Sequence, residues 1–422
     1  MTRINRFLII SVLSLILTTG IFSNGLSLNG VGSRASSMGT AYVGLADDWS
    51  AVFFNPAGLV QIEDTNISLF VTNIMPSGTY KFELLGTTFA NAESIGSAYP
   101  SGAFSYFRPF SDKITAGISL YVPAGAGAEW DGADLAMLTG GTSLLWDSTI
   151  FMITVSPAAA IKINDKFSLG AALNFNFASL KMKRPGGDGS AVPYFQYDEN
   201  LSAMAIGFTL GAMYKPNDTL SFGLTWKAPV KANLKGTAEA PFLAALGIST
   251  ESEGTRSATW PTWVAAGVAI TPNDKLTLTI DITYNNWGKL QEIPIEFDDP
   301  MWTAVGMEEG TKFGLKWEDT IDIKFGAEYK LSDSFALRGG FYTDKSPSPE
   351  ETLNILLPSL HYSAVTAGFG YKTGKLAIDF AVEYLFGDER FVDPMNYDAE
   401  AGMPGYHGMT IIVPNITITY TF

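Results

Sequence analysis

The chain has 422 residues, a formal charge of −15, 46% hydrophobic residues and no cysteine. The acidic balance speaks against a nucleic-acid-binding surface, which would be basic, and the missing thiols exclude disulfides, thiolate catalysis and Cys-ligated metals. A mean hydropathy of +0.14 is high for a soluble protein and low for a helical membrane protein; a barrel with a lipid-facing outside and a polar lumen averages to about this value.

The first segment reads as a secretory signal peptide over 1–24. Arg3 and Arg6 precede an apolar run from Phe7 to Leu17, broken only by Ser11 and Ser14. Small and polar residues follow from Thr18 to Gly25, with cleavage expected near Gly20, Ser23 or Gly25. The run is too short to span a bilayer, and no later stretch reaches the ~18 apolar residues a spanning helix needs.

Residues 25–65 do not alternate like a strand. Ser33–Tyr42 is rich in small residues that can pack closely, and Asp47-Asp48 precedes Trp49. Asn55-Pro56-Ala57 is a helix start, because Asn caps and Pro fits the first turn. An ordinary capped turn is the bland reading. Its place ahead of a repeating strand pattern makes 25–65 a candidate hatch.

From 66 to 422 the chain repeats one turn signal. Ser111-Asp112, Asn164-Asp165, Asn217-Asp218, Asn273-Asp274, Ser332-Asp333 and Thr373-Gly374 are tight-turn pairs. The Asp positions lie 53, 53, 56 and 59 residues apart, room for two strands and one long loop. Six tight turns separate seven hairpins, which predicts fourteen strands, an even number as in bacterial single-chain barrels. The predicted strands are 66–74, 101–108, 113–123, 150–161, 166–182, 202–215, 219–234, 257–270, 275–290, 313–330, 334–345, 360–371, 375–386 and 409–422. Leu276, Leu278, Ile280, Ile282 and Tyr284 share one face, opposite Asp281 and four neighbouring Thr and Asn residues. Leu376, Ile378 and Phe380 oppose Asp379 and Glu383 in the same way. A Lys facing mid-bilayer lipid costs roughly 2–4 kcal/mol, so the charged faces point to the lumen. The fold class expected is an all-β transmembrane antiparallel barrel in the outer membrane. A soluble β-sandwich is the alternative, but it has no use for the export signal.

Gly39-Thr-Ala-Tyr-Val-Gly-Leu-Ala-Asp-Asp48 followed by Phe54-Asn-Pro-Ala-Gly-Leu59 resembles the hatch of the long-chain fatty-acid transporter family. That family also includes toluene and other aromatic-hydrocarbon channels. Tyr121–Trp130, Trp260-Pro-Thr-Trp263 and Leu337–Pro349 carry the likeness along the chain. The resemblance implies a monomeric fourteen-stranded barrel plugged by a hatch containing Asp47, Asp48, Asn55, Pro56 and Ala57. It implies passive transport of a hydrophobic small molecule: capture at the outer loops, internal binding, hatch movement and lateral exit at a kinked third strand. Gly117, Pro123 and Gly125 are the candidate kink residues, since Pro cannot complete a ladder and Gly weakens it.

The loop after the third strand offers an apolar groove through Leu138, Leu145 and Trp146. Exposed apolar patches mark binding sites, although these residues can equally pack on neighbouring loops. For the carboxylate anchor, the resemblance points to Arg184, beside Met182, and to Lys312 or Lys316. Contact with anionic lipopolysaccharide, or balance of loop acids, is the other reading of these cations. Arg338 shares the lumen with Asp281, Asp379 and Glu383, and a structural ion pair is favoured over a place on the exit route.

No catalytic constellation is visible. His361 and His407 are the two histidines, and neither carries the Ser and carboxylate spacing of a hydrolase. No enzyme activity, metal or cofactor is expected. The expected partners are the ligand, outer-membrane lipid and lipopolysaccharide. Three other readings stay open: a hydrocarbon channel, a general porin, which needs an open lumen, and a hatch-bearing secretion shuttle, which needs protein partners.

Overall fold

The computed structural model describes residues 25–422, apart from Ser97 and Ala191. The expected signal segment, 1–24, lies outside the described residues. Fourteen antiparallel strands close into one barrel. They are β1 Asn66–Leu84, β2 Tyr99–Ser111, β3 Ile114–Trp130, β4 Trp146–Asn164 and β5 Phe167–Gly186. Next come β6 Phe195–Asn217, β7 in two segments (Leu220–Lys227, Val230–Glu239), and β8 likewise (Glu251–Trp260, Trp263–Asn273). β9 Leu276–Asn285, β10 Thr320–Ser332, β11 Phe335–Asp344, β12 Tyr362–Thr373, β13 Leu376–Phe386 and β14 Gly405–Thr421 complete the wall. β14 pairs with β1 from Thr421↔Asn66 to Tyr406↔Lys81, so the sheet closes.

The tight turns form for the reason the sequence suggests. Asn164, Asn217 and Asn273 each accept, through Oδ1, the backbone N–H two residues on, at 2.9–3.0 Å. Ser111 and Ser332 do the same at 3.3 Å. These side chains replace turn hydrogen bonds that water would otherwise supply. Alternation then sorts the wall. Ile280 and Ile282 face outward, while Asp281, Asp322, Lys324 and Glu328 are buried in the lumen.

Several strands differ from the sequence expectation. β1 runs to Leu84 rather than 74, because its outer half makes a hairpin with a short strand, Thr87–Glu93. β9 stops at Asn285, where Trp287–Lys289 turns into a 3₁₀ helix. β10 begins at Thr320 rather than 313, since Phe313–Gly314 pairs with Glu292–Ile293 in an outer loop. β7 and β8 are each interrupted, at Pro229 and Pro261, where the ring removes the ladder donor.

The lumen is filled from the turn end by residues 25–65. Two short helices, α1 Ser33–Ser37 and α2 Ala51–Phe54, and a 3₁₀ turn, Pro56–Gln61, form this hatch. Its own apolar cluster includes Met38, Tyr42, Phe54 and Leu59. A second cluster fills the outer half of the lumen and reaches into the loops through Trp130, Trp260, Trp287 and Leu353–Leu360.

Candidate functional site

The hatch is held by polar contacts to many strands. Asn55 is fully buried; its Nδ2 donates to the carbonyls of Val43 and Ala212, both at 3.0 Å. Its Oδ1 accepts from Ala57 N at 3.2 Å and caps the 3₁₀ turn. Asp281 accepts from Val43 N at 2.7 Å, and Ser168 donates to the Ala57 carbonyl at 3.0 Å. Arg34 links Asp47 at 2.6 Å with Glu328 at 2.9 Å. Arg338 binds Glu328 and Asp379, each at 2.6 Å, so Arg338 takes the structural pairing. Asp48 accepts from Ser50 and from the Tyr42 hydroxyl. Glu383 accepts from the Tyr342 hydroxyl at 3.0 Å.

Close approach explains a girdle of glycines on the inner wall. A Cβ on Gly223 would lie 1.9 Å from the Val43 carbonyl oxygen. One on Gly211 would lie 2.1 Å from Asn55 Oδ1. Gly170, Gly326 and Gly340 face hatch backbone in the same way. These residues went unremarked in the sequence. Their signal is a glycine in the turn-side or middle part of β5, β6, β7, β10 and β11.

Ahead of α1, residues 25–31 thread through the lumen as a strap. Leu28 N–H donates to the Pro123 carbonyl at 2.9 Å, and Asn29 Nδ2 donates to Asp344 at 2.7 Å. The Lys324 ammonium donates to the Asn29 carbonyl at 3.2 Å. A cavity of about 110 Å3 lies on one side of Leu28–Asn29, lined by Phe53, Tyr121, Pro123, Trp260, Trp263 and Lys227. A smaller one of about 40 Å3 lies on the other side, against Phe70, Gly102 and Val122.

Lys227 is the unusual group in the larger cavity. Its Nζ sits 3.2 Å from the centre of the Phe53 ring and 4.2 Å from that of Trp263. No carboxylate lies within ion-pair distance of it among the described residues. Lys324, by contrast, is surrounded by Asp281, Asp322, Asp344 and Glu383. Lys227 is half-buried, so it bears part of the desolvation cost of an unpaired cation, which the two aromatic faces offset in part.

The wall beside the strap is irregular. The β2–β3 ladder runs from Ser111↔Ile114 to Ala103↔Tyr121 and stops. On its other side, β3 slips register against β4 between Tyr121 and Ala124, at Val122-Pro123. Gly117 pairs regularly with Phe107 and Ala158, and Gly125 with Phe151. The bend is therefore at Pro123, and the two glycines lie in regular ladder.

The loop residues are dispersed. Leu138 and Trp146 pack on the outer lumenal cluster, Met182 is buried within it, and Leu145 is exposed. The Arg184 guanidinium lies 4.7 Å from the Phe313 ring centre, and its Nη2 donates to the Gly310 carbonyl at 3.4 Å. Arg184 and the segment carrying Lys312 thus meet. Lys312, however, pairs with Glu309 and Glu400, and Lys316 with Glu351 and Asp398. Both lysines are spoken for by loop acids.

The family described as outer membrane protein transport protein (OMPP1/FadL/TodX) matches residues 14–422. The chain belongs to that family. It is an outer-membrane protein, and the family is made of transporters and channels rather than enzymes. It is similar to a putative outer membrane protein of Neisseria meningitidis, 25% identical, with 81% of each chain covered. It is also similar to the long-chain fatty acid transport protein of Escherichia coli, 22% identical over 92% of this chain and 93% of that one. Among solved structures, a Pseudomonas aeruginosa FadL homologue superposes with a TM-score of 0.80 at 20% identity, covering 94% of this chain and all (100%) of that one. The Pseudomonas putida toluene transporter TodX gives 0.74 at 18%, covering 95% and 100%. These structures share the fold. The hatch-filled lumen differs from the open lumen expected of a general porin.

Proposed function

We propose that this protein carries hydrophobic small molecules with a carboxylate head group, long-chain fatty acids in particular, passively across the outer membrane. The observation that carries the reading is Lys227: a half-buried cation with no carboxylate within ion-pair distance among the described residues, set against the Phe53 and Trp263 rings on the wall of the lumenal cavity. A carboxylate there supplies the missing charge, in surroundings where a charge-assisted hydrogen bond is strong. Pairing with the ligand competes with the Phe53 ring, which belongs to the hatch. Ligand binding thereby loosens the hatch. The outer loops around Leu138, Leu145, Trp146 and Arg184 serve first contact. Displacement of Leu28–Asn29 joins the two cavities and opens a path to the Pro123 bend, the proposed lateral exit.

Cavity size supports a second reading. An engineered cavity of about 150 Å3 binds benzene, so about 110 Å3 takes a single ring or a short chain segment while the strap is seated. The aromatic lining suits a neutral hydrocarbon as well, and TodX is a toluene transporter by name.

Mass spectrometry of ligands extracted from the detergent-purified protein, with oleate titrations on Lys227→Met and Arg184→Met, decides between them. Loss of one charge-assisted bond of about 1.5–3 kcal/mol weakens oleate binding roughly 10- to 100-fold in Lys227→Met. Oleate binding that ignores Lys227, together with a co-purified neutral hydrocarbon, moves the assignment to a hydrocarbon channel.

A further inference from the structure

The ladder between β6 and β7 is interrupted. Its lower part runs from Asn217↔Leu220 to Thr209↔Lys227, and its upper part from Ser202↔Lys235 to Asp198↔Glu239. Between them residues 203–208 face residues 228–234 with no ladder pairs. The Ala228 N–H bond to the Phe208 carbonyl, 3.0 Å, marks the lower edge. β6 remains paired with β5 throughout this interval. β7 remains paired with β8 above and below, at Val230↔Trp260 and Lys227↔Trp263. Residues 228–234 of β7 therefore bow away from β6, still paired with β8 from Val230 on, and rejoin β6 at Lys235. Pro229 and Pro261 face each other between those two pairs, and neither has an N–H to hold the ladder straight.

The interval has a lipid side and a lumen side. On the lipid side Met204 is 81% and Ile206 66% exposed, against 40% for Phe208 and 44% for Leu210 lower on the same strand. The opposite bank carries Lys231 and Lys235, both exposed and outward-facing. On the lumen side Lys227, Ala228 and Val230 line the larger cavity. Val230 stands over Gly207: an added Cβ there would lie 2.6 Å from Val230 Cγ2 and 4.0 Å from Val230 Cβ. One valine side chain thus lies across the interval beside the cavity.

We propose that this interval is a second lateral doorway between the cavity and the lipid, and that it passes single-chain amphiphiles with an anionic head. It rests on the transport reading above. The apolar bank of Met204 and Ile206 takes the chain. The head group held at Lys227 stands at the threshold, and Lys231 and Lys235 receive it outside. The doorway is distinct from the Pro123 bend, which lies four strands away round the wall, beside the β2–β3 seam.

The chain has no cysteine, so the doorway can be stapled cleanly. The 4.0 Å between the Cβ positions of residues 207 and 230 lies within the range for a disulfide, about 3.5–4.5 Å. Gly207→Cys/Val230→Cys, expressed in intact cells lacking their own fatty-acid transporter, is assayed for radiolabelled oleate uptake after oxidation and again after reduction. Oxidation lowers the uptake to what the Pro123 route alone carries, reduction restores it, and wild type responds to neither. Lys231→Glu/Lys235→Glu, which leaves the lumen untouched, lowers oleate uptake roughly tenfold, as focused surface charge alters association by 10–10³. It leaves uptake of toluene unchanged. Wild-type uptake in the oxidised, mass-verified staple overturns the doorway, as does indifference to the charge reversal. Wild type that takes up no more oleate than empty cells overturns the transport reading, and the doorway with it.

Discussion

Replacing Asn55 with Ala isolates what holds the hatch in the lumen. The side chain is fully buried and donates to Val43 and Ala212 at 3.0 Å each while accepting from Ala57 at 3.2 Å. Each donor bond contributes about 1 kcal/mol net, and loss of a cap costs about 1 kcal/mol. Only the Ala212 bond crosses to the wall, so about 1 kcal/mol falls on docking and lowers the ratio of docked to undocked hatch roughly fivefold, while the other roughly 2 kcal/mol loosens the hatch's own fold. None of it falls on the barrel ladders, so thermal unfolding of the barrel stays where it is. Hydrogen exchange across residues 42–61 reads the docking directly, and ion conductance in planar bilayers reads the opened lumen. Asn55→Ala exchanges faster and conducts more. Asn55→Asp behaves as badly, because it keeps the cap but turns a carboxylate toward two carbonyls. Unchanged exchange and unchanged conductance in Asn55→Ala would refute the claim that this residue fastens the hatch.

Two further outcomes follow from the same geometry. Gly223→Ala places a Cβ 1.9 Å from the Val43 carbonyl, and overpacking of this kind costs about 1–3 kcal/mol; the hatch becomes protease-sensitive while the barrel keeps its heat-modifiable migration, and a hatch as resistant as wild type argues against close packing there. His361, in the outer loop before β12, accepts the Ser346 N–H at 3.0 Å through Nδ1. Burial first, then Arg390 and Lys345, hold its pKa below the ordinary value. A lowered folded-state pKa means the unfolded loop takes the proton first, so this stability is full above about pH 6.5 and is lost as pH falls toward the folded value. Protection of the Ser346 amide, taken against the intrinsic exchange rate at each pH, falls below that pH, and His361→Gln removes the pH dependence. An identical fall in protection in His361→Gln would show that another group is responsible.

What the sequence discloses here depends on whether a contact is made by side-chain pattern or by backbone. Strand number and lumen orientation were legible because turn chemistry and period-two alternation are local: Asn164, Asn217 and Asn273 build their own turns, and Asp281 and Asp322 mark the inner face. The hatch contacts were not legible in the same way. Gly211 and Gly223 act by lacking a side chain, and their partners lie more than 150 residues away in the chain. The resemblance pointed to Arg184 after the fifth strand, yet its surroundings are set by the fold of the loop around Gly310 and Phe313. Lys227 went unremarked in the sequence, inside the predicted strand 219–234 and beside Trp226. Its role depends on which rings and which acids surround it, and that is decided by hatch and wall together. One signal was available. Pro229 and Pro261 fall inside adjacent predicted strands, where proline is tolerated only at an edge or an irregularity. Two prolines facing each other in a closed barrel have no edge to occupy, so they require a break in the wall, and Lys227 stands at that break beside the cavity.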